Sequence, residues 1–171
     1  QTGSVRRVDE LGRLVIPKEI RRTMRLAEGT PLEIFTDREG QIILKKYSPM
    51  MELGSFAKQY AESVAQTMNQ KVAVSDRDQI IAVAGGGKRE LLGKTISRQL
   101  EEMIINRENS IQAGLDKKTI PLISGDEDSY SAQAIYPICC EGDCIGAVIL
   151  YSRENQTHFS ETEYKAAACA A

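Results

Sequence analysis

The sequence predicts an α+β protein: an N-terminal module of short strands with one short helix, a helical connector, and a C-terminal domain built on a central antiparallel sheet. Three observations carry the prediction. The first 47 residues hold brief β-branched runs punctuated by Asp- and Gly-containing turns. Residues 53–68 repeat apolar side chains at three- and four-residue steps. Two long apolar runs near the C-terminus flank the tight turn Glu141-Gly142-Asp143.

In the N-terminal module, residues 5–8 read as a strand, Asp9-Glu10-Leu11-Gly12 as a turn and residues 14–16 as a second, β-branched strand. Pro17 ends that strand, because it brings no N–H to a ladder, and it suits the first turn of a helix. Residues 18–25 form that helix, with Ile20, Thr23 and Met24 on one face and Arg21, Arg22 and Arg25 on the other. Residues 32–36 and 41–46 flank Asp37-Arg38-Glu39-Gly40, a hairpin signal. A segment this small has too little surface to bury for a stable core. Val5, Val8, Leu14, Ile16, Ile34, Ile42 and Leu44 are therefore expected to complete their burial against a second copy.

The connector spans 48–69. Leu53, Phe56, Ala57, Tyr60, Ala61, Val64, Ala65 and Met68 give a helix of about 20 residues with one apolar stripe. Such a helix either packs on the following domain or self-associates as a short coiled coil, and the two are compatible. The third domain, 70–171, opens with strands at 72–75 and 80–84 around the turn Asp76-Arg77-Asp78. A Gly85-Gly86-Gly87 loop leads to a helix near 97–107 with Leu100, Met103 and Ile104 inward, and 119–123 reads as a short strand. The acidic loop Gly125-Asp126-Glu127-Asp128 precedes the long strands 131–140 and 144–152. A last helix is expected near Ser160, with Glu163 three residues on as in a capping box. The sequence ends inside its Ala-rich run, and the natural protein is expected to continue beyond it.

Charge is unevenly distributed. Residues 1–46 carry ten Lys/Arg against seven Asp/Glu, a local excess of +3 in a chain whose net charge is −2. That asymmetry points to a polyanion-binding end joined to an acidic remainder. No apolar run approaches the roughly 18 residues that cross a bilayer, and no secretory signal opens the sequence, so the expected compartment is the cytosol. Cys139, Cys140 and Cys144 fit neither a CxxC pair nor a familiar zinc spacing, and reduced, partly buried thiols are expected there, with Cys169 distant.

Enzyme readings fail on the residues. Gly85-Gly86-Gly87-Lys88 lacks the GxxxxGK[ST] pattern of a P-loop, since Arg89 follows the lysine. Asp126-Glu127-Asp128 lacks the spacing of a calcium loop. A single histidine, His158, leaves no Ser/His/Asp or Cys/His set to assemble. No cofactor or metal is expected.

The run RRVDELGRLVIPKEIRRT, resumed at PLEIF and IILKKY, closely resembles the swapped-hairpin DNA-binding module of the AbrB family of transition-state regulators. The resemblance covers about 45 residues. It implies a β-barrel made by two chains exchanging hairpins, and it puts Arg6, Arg7, Arg13, Arg21 and Arg22 at the family's DNA-contacting positions. Guanidinium forks suit that task, holding phosphates bidentately and reaching guanine O6 and N7 in the major groove. Lys18 and Arg25 are rim charges; Asp9, Glu10 and Glu19 are expected to orient the forks. The same barrel serves as the antitoxin half of toxin–antitoxin pairs, usually followed by a disordered toxin-binding tail. An antitoxin-like or scaffold role is therefore the alternative, and the ordered domain that follows counts against it.

Residues 71–171 resemble a GAF domain, through YPICCEGDCIGAVILYS. GAF domains often bind a small molecule in a pocket facing the sheet, while many only dimerise; the resemblance implies oligomerisation and leaves room for an unidentified small-molecule ligand, whose identity nothing in the residues fixes. The order barrel, helix, GAF resembles a family of sporulation regulators. That resemblance implies control of forespore genes, binding to double-stranded and AT-rich promoter DNA, and a nucleoid-associated homotetramer in which helices and GAF-like domains bring two barrel dimers together.

Overall fold

A computed structural model of the chain describes residues 4–52, 54–113, 119–126, 130–140 and 142–153. Leu53, Glu127, Asp128, Glu141, His158, Cys169 and the helix expected near Ser160 lie outside the described residues. The chain divides into two compact units, Gln1–Tyr47 and Ser48–Ala171.

The first unit contains helix α1 (Lys18–Thr23) and a two-stranded antiparallel sheet of β1 (Leu32–Thr36) and β2 (Ile42–Lys46). Pro17 stands at the N-cap of α1. The helix stops two residues short of expectation because Arg25 adopts a left-handed conformation (φ 52°). The Arg25 and Leu26 amides then donate back to the Arg22 and Arg21 carbonyls at 3.2 and 2.7 Å, a Schellman closure. Leu32 faces Lys46, Ile34 faces Leu44 and Thr36 faces Ile42 across the hairpin.

The strands expected at 5–8 and 14–16 are not regular strands in the single chain, and no barrel closes among the described residues. Among the described residues these segments find no ladder partner. Between them the Asp9–Arg13 turn closes as a hairpin would, with the Asp9 amide donating to the Arg13 carbonyl at 3.0 Å. Val5, Val15, Ile34 and Ile42 remain 92%, 72%, 69% and 72% exposed.

The second unit is a five-stranded antiparallel sheet in the order β4-β3-β7-β6-β5. Its strands are β3 (Lys71–Asp76), β4 (Ile80–Ala84), β5 (Ser110–Ala113), β6 (Ala132–Cys140) and β7 (Asp143–Ser152). Helix α2 (Pro49–Glu52) leads into α3 (Gly54–Met68); α4 (Lys88–Leu91) and α5 (Arg98–Asn106) follow β4. The antiparallel sheet at the centre of this unit was expected; the edge strand β5 was not.

Alternation along β7 sends its side chains to two separate cores. Val148 and Leu150 join Val72, Val74 and the buried alanines Ala57, Ala61 and Ala65 of α3. The connector helix thus packs within the second unit, through small residues at four-residue spacing, while Phe56 stays exposed and stacks on Tyr60 at 6.3 Å. Ala147, Ile149 and Tyr151 join Leu91, Ile96, Leu100, Ile104 and Leu122 on the opposite face. Ser97 caps α5 by accepting from the Leu100 amide at 3.0 Å. Gly146 sits where β7 crosses β3 so closely that a Cβ would overlap the Ser75 carbonyl.

Residues 119–123 do not form the expected strand; only Ile123 makes an isolated bridge, to Ile96. The side chain of buried Gln133 occupies the backbone of this segment instead, accepting from the Ile120 amide at 2.8 Å and donating to its carbonyl at 2.5 Å. A polar residue in a strand interior here does the work of a missing neighbour. The glycine loop 85–87 is a turn against the sheet, its Gly86 carbonyl accepting from the Tyr151 hydroxyl at 3.0 Å.

The hairpin joining β6 to β7 corrects the cysteine expectation. Its loop is two residues long, Cys140 faces Asp143, and Cys139 faces Cys144 with Cα atoms 3.9 Å apart. Those two residues form a disulfide rather than reduced thiols, and Cys140 is a free, exposed thiol.

Candidate nucleic-acid interface

Arg6, Arg7, Arg13, Arg21 and Arg22 all belong to the first unit and all are exposed. Arg6 and Arg7 lie on the extended segment before the first turn, Arg13 closes that turn, and Arg21 and Arg22 are neighbours in the last turn of α1. That helix buries no residue of its own within the single chain.

Arg13 is the most rigidly placed of the five. Asp9 accepts from the Leu11 and Arg13 amides on one carboxylate oxygen, at 3.0 and 2.8 Å, and from Arg13 Nε on the other, at 2.8 Å. Gly12 supplies the positive φ of 75° that lets the chain turn back under the carboxylate. The Arg13 amide, then its guanidinium, hold the Asp9 carboxyl below its ordinary value. Of the three interleaved acids, Asp9 thus holds the Arg13 fork through its Nε, and the Arg13 side chain stays 72% exposed.

The same wiring recurs at the other hairpin. Asp37 accepts from the Glu39 and Gln41 amides at 2.9 and 2.8 Å, and its own amide donates to the Gln41 carbonyl at 3.2 Å. The motif is Asp-x-x-Gly-x in both places, with arginine at the fifth position of the first turn and glutamine at the fifth of the second. The spacing of Asp and Gly would have revealed the repeat.

In the second unit, Asp76 is nearly fully buried and accepts from the Asp78 and Gln79 amides, both at 2.7 Å, and from the Ser48 hydroxyl at 3.1 Å. That carboxylate ties the start of the unit to the β3–β4 turn. At the far end of β7, Arg153 bonds Glu90, Asp126 and the Tyr130 hydroxyl at 3.1, 3.5 and 3.3 Å, and lies over the Tyr130 ring. Burial, then the Asp126 hydrogen bond, push the Tyr130 phenol up. Both sets are structural ties. Among the described residues no group of three or more His, Cys, Asp or Glu could hold a metal ion, and no helix is long and apolar enough to cross a membrane.

The chain thus joins an arginine-bearing module to a second unit whose antiparallel sheet lies between two cores. The family described as stage V sporulation protein T C-terminal, transcription factor, matches residues 52–171. The one described as antidote-toxin recognition MazE, bacterial antitoxin, matches residues 5–51. Stage V sporulation protein T of Bacillus subtilis (strain 168) is 48% identical over 99% of this chain and 93% of its own length. The chain belongs to the stage V sporulation protein T family.

The transition state regulatory protein AbrB of the same organism is 64% identical over 29% of this chain and 51% of its own length. Among solved structures, the GAF domain from Acinetobacter phosphoenolpyruvate-protein phosphotransferase matches with a TM-score of 0.55 at 13% identity, over 74% of this chain and 80% of its own. That likeness concerns the fold alone.

Proposed function

We propose that the protein is a sporulation transcription regulator that binds double-stranded promoter DNA, AT-rich in composition, through the first unit as a homodimer. The carrying observation is the coincidence, on one small unit, of five exposed arginines with extended apolar segments that have no strand partner in the single chain. A second copy would supply the partner strands, bury Val5, Val15, Ile34 and Ile42, and place two sets of arginines about one two-fold axis. Arg6, Arg7, Arg13, Arg21 and Arg22 are the proposed DNA contacts. Relatives named as a sporulation protein and a transition state regulator support the reading.

Two dimers join into a homotetramer through the connector helices and the GAF-fold units, and exposed Phe56, stacked on half-buried Tyr60 of α3, supports that association. The protein works in the cytoplasm, on the nucleoid of the forespore. The GAF-fold second unit contributes to this assembly and is the candidate site for a small-molecule ligand.

Gel-shift titration of the full chain on promoter duplexes tests the proposal. Arg13→Ala weakens binding while leaving the oligomer intact; unchanged binding would remove the assigned surface. The match of residues 5–51 to an antitoxin family favours a second reading, in which the first unit serves a toxin partner. Co-purification of a stoichiometric toxin together with failure to shift any promoter would support it.

A further inference from the structure

We propose that the tip of the β6–β7 hairpin is a thiol–disulfide exchange site, built from Cys139 and Cys144, that takes low-molecular-weight disulfides as co-reactants. Cys139 is exposed and Cys144 is 7% exposed, and the two are directly opposed across the strands with Cα atoms 3.9 Å apart. An external reagent therefore meets one sulfur first, and the other waits beside it.

The register makes the pairing selective. Ile145 is an extra residue on β7, since Ile138 faces Gly146 while Cys139 faces Cys144. This bulge brings Cys144 opposite Cys139. Cys140 follows Cys139 directly on the strand, so its side chain points to the opposite face of the sheet, and it faces Asp143 rather than a thiol. Three cysteines in six residues thus divide into one pair and one bystander.

The closing step balances as an ordinary exchange. The Cys139 thiolate attacks one sulfur of the external disulfide, forming a mixed disulfide and releasing one thiolate. Cys144 then attacks the Cys139 sulfur and expels the second thiolate. Both cysteines are oxidised, the external disulfide is reduced, and the two cysteine protons end on the two released thiols. Opening runs the same steps in reverse.

The hairpin tip is not isolated from the core. Arg107, in left-handed conformation at the end of α5 (φ 58°), donates to the Gly142 carbonyl of the turn. Cys144 itself belongs to the core that holds Leu100 and Ile104 of α5. Closure of the disulfide therefore tightens a turn already fastened to a helix.

The test uses the full chain equilibrated in glutathione buffers from reducing to oxidising, quenched with acid, and alkylated differentially before and after reduction. Peptide mass mapping should show Cys139 and Cys144 converting together into one intramolecular bridge in a reversible transition, with Cys140 in no protein disulfide and carrying only glutathione where it is oxidised. Cys140→Ser should leave that transition unmoved. Cys139→Ser, at the exposed position, should leave Cys144 unoxidised. Cys144→Ser should trap glutathione on Cys139. The proposal is overturned if Cys139 and Cys144 stay reduced in the most oxidising buffer, if they stay bridged in the most reducing one, or if Cys139 pairs with Cys140 or Cys169.

Discussion

Replacing Arg21 by alanine isolates the electrostatic part of DNA binding from the stability of the fold. Arg21 is exposed on α1, a helix with no buried residue, and alanine is the best helix former, so the unit should keep its structure. A two-fold dimer loses two guanidiniums for each substitution. With about 0.9 counterions released per phosphate contact, the slope of log K against log salt should become shallower by about 1.8. If the two lines converge near ~1 M salt, the same relation gives a loss of about 30-fold at ~0.15 M and about 200-fold at ~0.05 M. Fluorescence anisotropy on a labelled promoter duplex, across a salt series, measures both quantities. Arg98→Ala is the control, because it removes one exposed arginine of the second unit, paired with Glu102 at 3.0 Å. A slope for Arg21→Ala equal to that of the unsubstituted protein, or a matching effect from Arg98→Ala, would refute the reasoning.

Other outcomes follow from the ties described above. Asp9→Ala should weaken DNA binding less than Arg13→Ala, and Asp9→Asn less again, since asparagine keeps the turn's acceptor oxygen; equal effects of the two Asp9 variants would assign the role to the charge and not to the turn's acceptor. Because the Asp9 carboxyl is depressed, its contribution is present above pH 3.8 and is lost as pH falls through the folded value, a transition that the Arg13 amide shift reports by NMR. Gln133→Leu should destabilise the second unit by about 2–4 kcal/mol, as two backbone groups of Ile120 lose their partners, and an unchanged urea midpoint would contradict this. Burial pushes the Tyr151 phenol up to about 12 and the Tyr130 phenol up as well. Their contribution is full below pH 10 and fades as pH rises through the folded values, so two of the six tyrosines should lag in an alkaline phenolate titration. A single uniform tyrosine transition near pH 10 would oppose it.

Much of the architecture was legible because local chemistry and fold agree. Pro17 announced α1, Ser97 stands where a cap belongs, and the turn glycines marked both hairpins of the first unit. The strands at 5–8 and 14–16 were legible as patterns but not as pairings, because the described residues offer them no ladder neighbour. Strand β5 carries the residues Ser-Ile-Gln-Ala, too short and mixed to show a period. The segment 119–123 has strand composition, yet its backbone is satisfied by the Gln133 side chain, a long-range bond no local pattern encodes.

The candidate site followed the same division. Five arginines could be named from the motif, but the anchoring of Arg13 by both oxygens of Asp9 required the turn's geometry. The disulfide was hidden by one residue. Reading Glu141-Gly142-Asp143 as the turn sets Cys140 against Cys144, whereas a two-residue loop sets Cys139 there. Thiols at i and i+5 around a two-residue hairpin were the available signal.

The twin Asp-x-x-Gly-x turns give the first unit an internal control. One scaffold is used twice, and the fifth position alone separates a turn that ends in a charged fork from one that ends in a neutral amide. Exchanging Arg13 and Gln41 would keep composition, net charge and both turns while moving the charge to the other hairpin. Whatever binding is lost in that exchange belongs to the location of the arginine and to nothing else. The duplication thus separates where a charge sits from how much charge there is, a distinction that deletion of a single arginine cannot make.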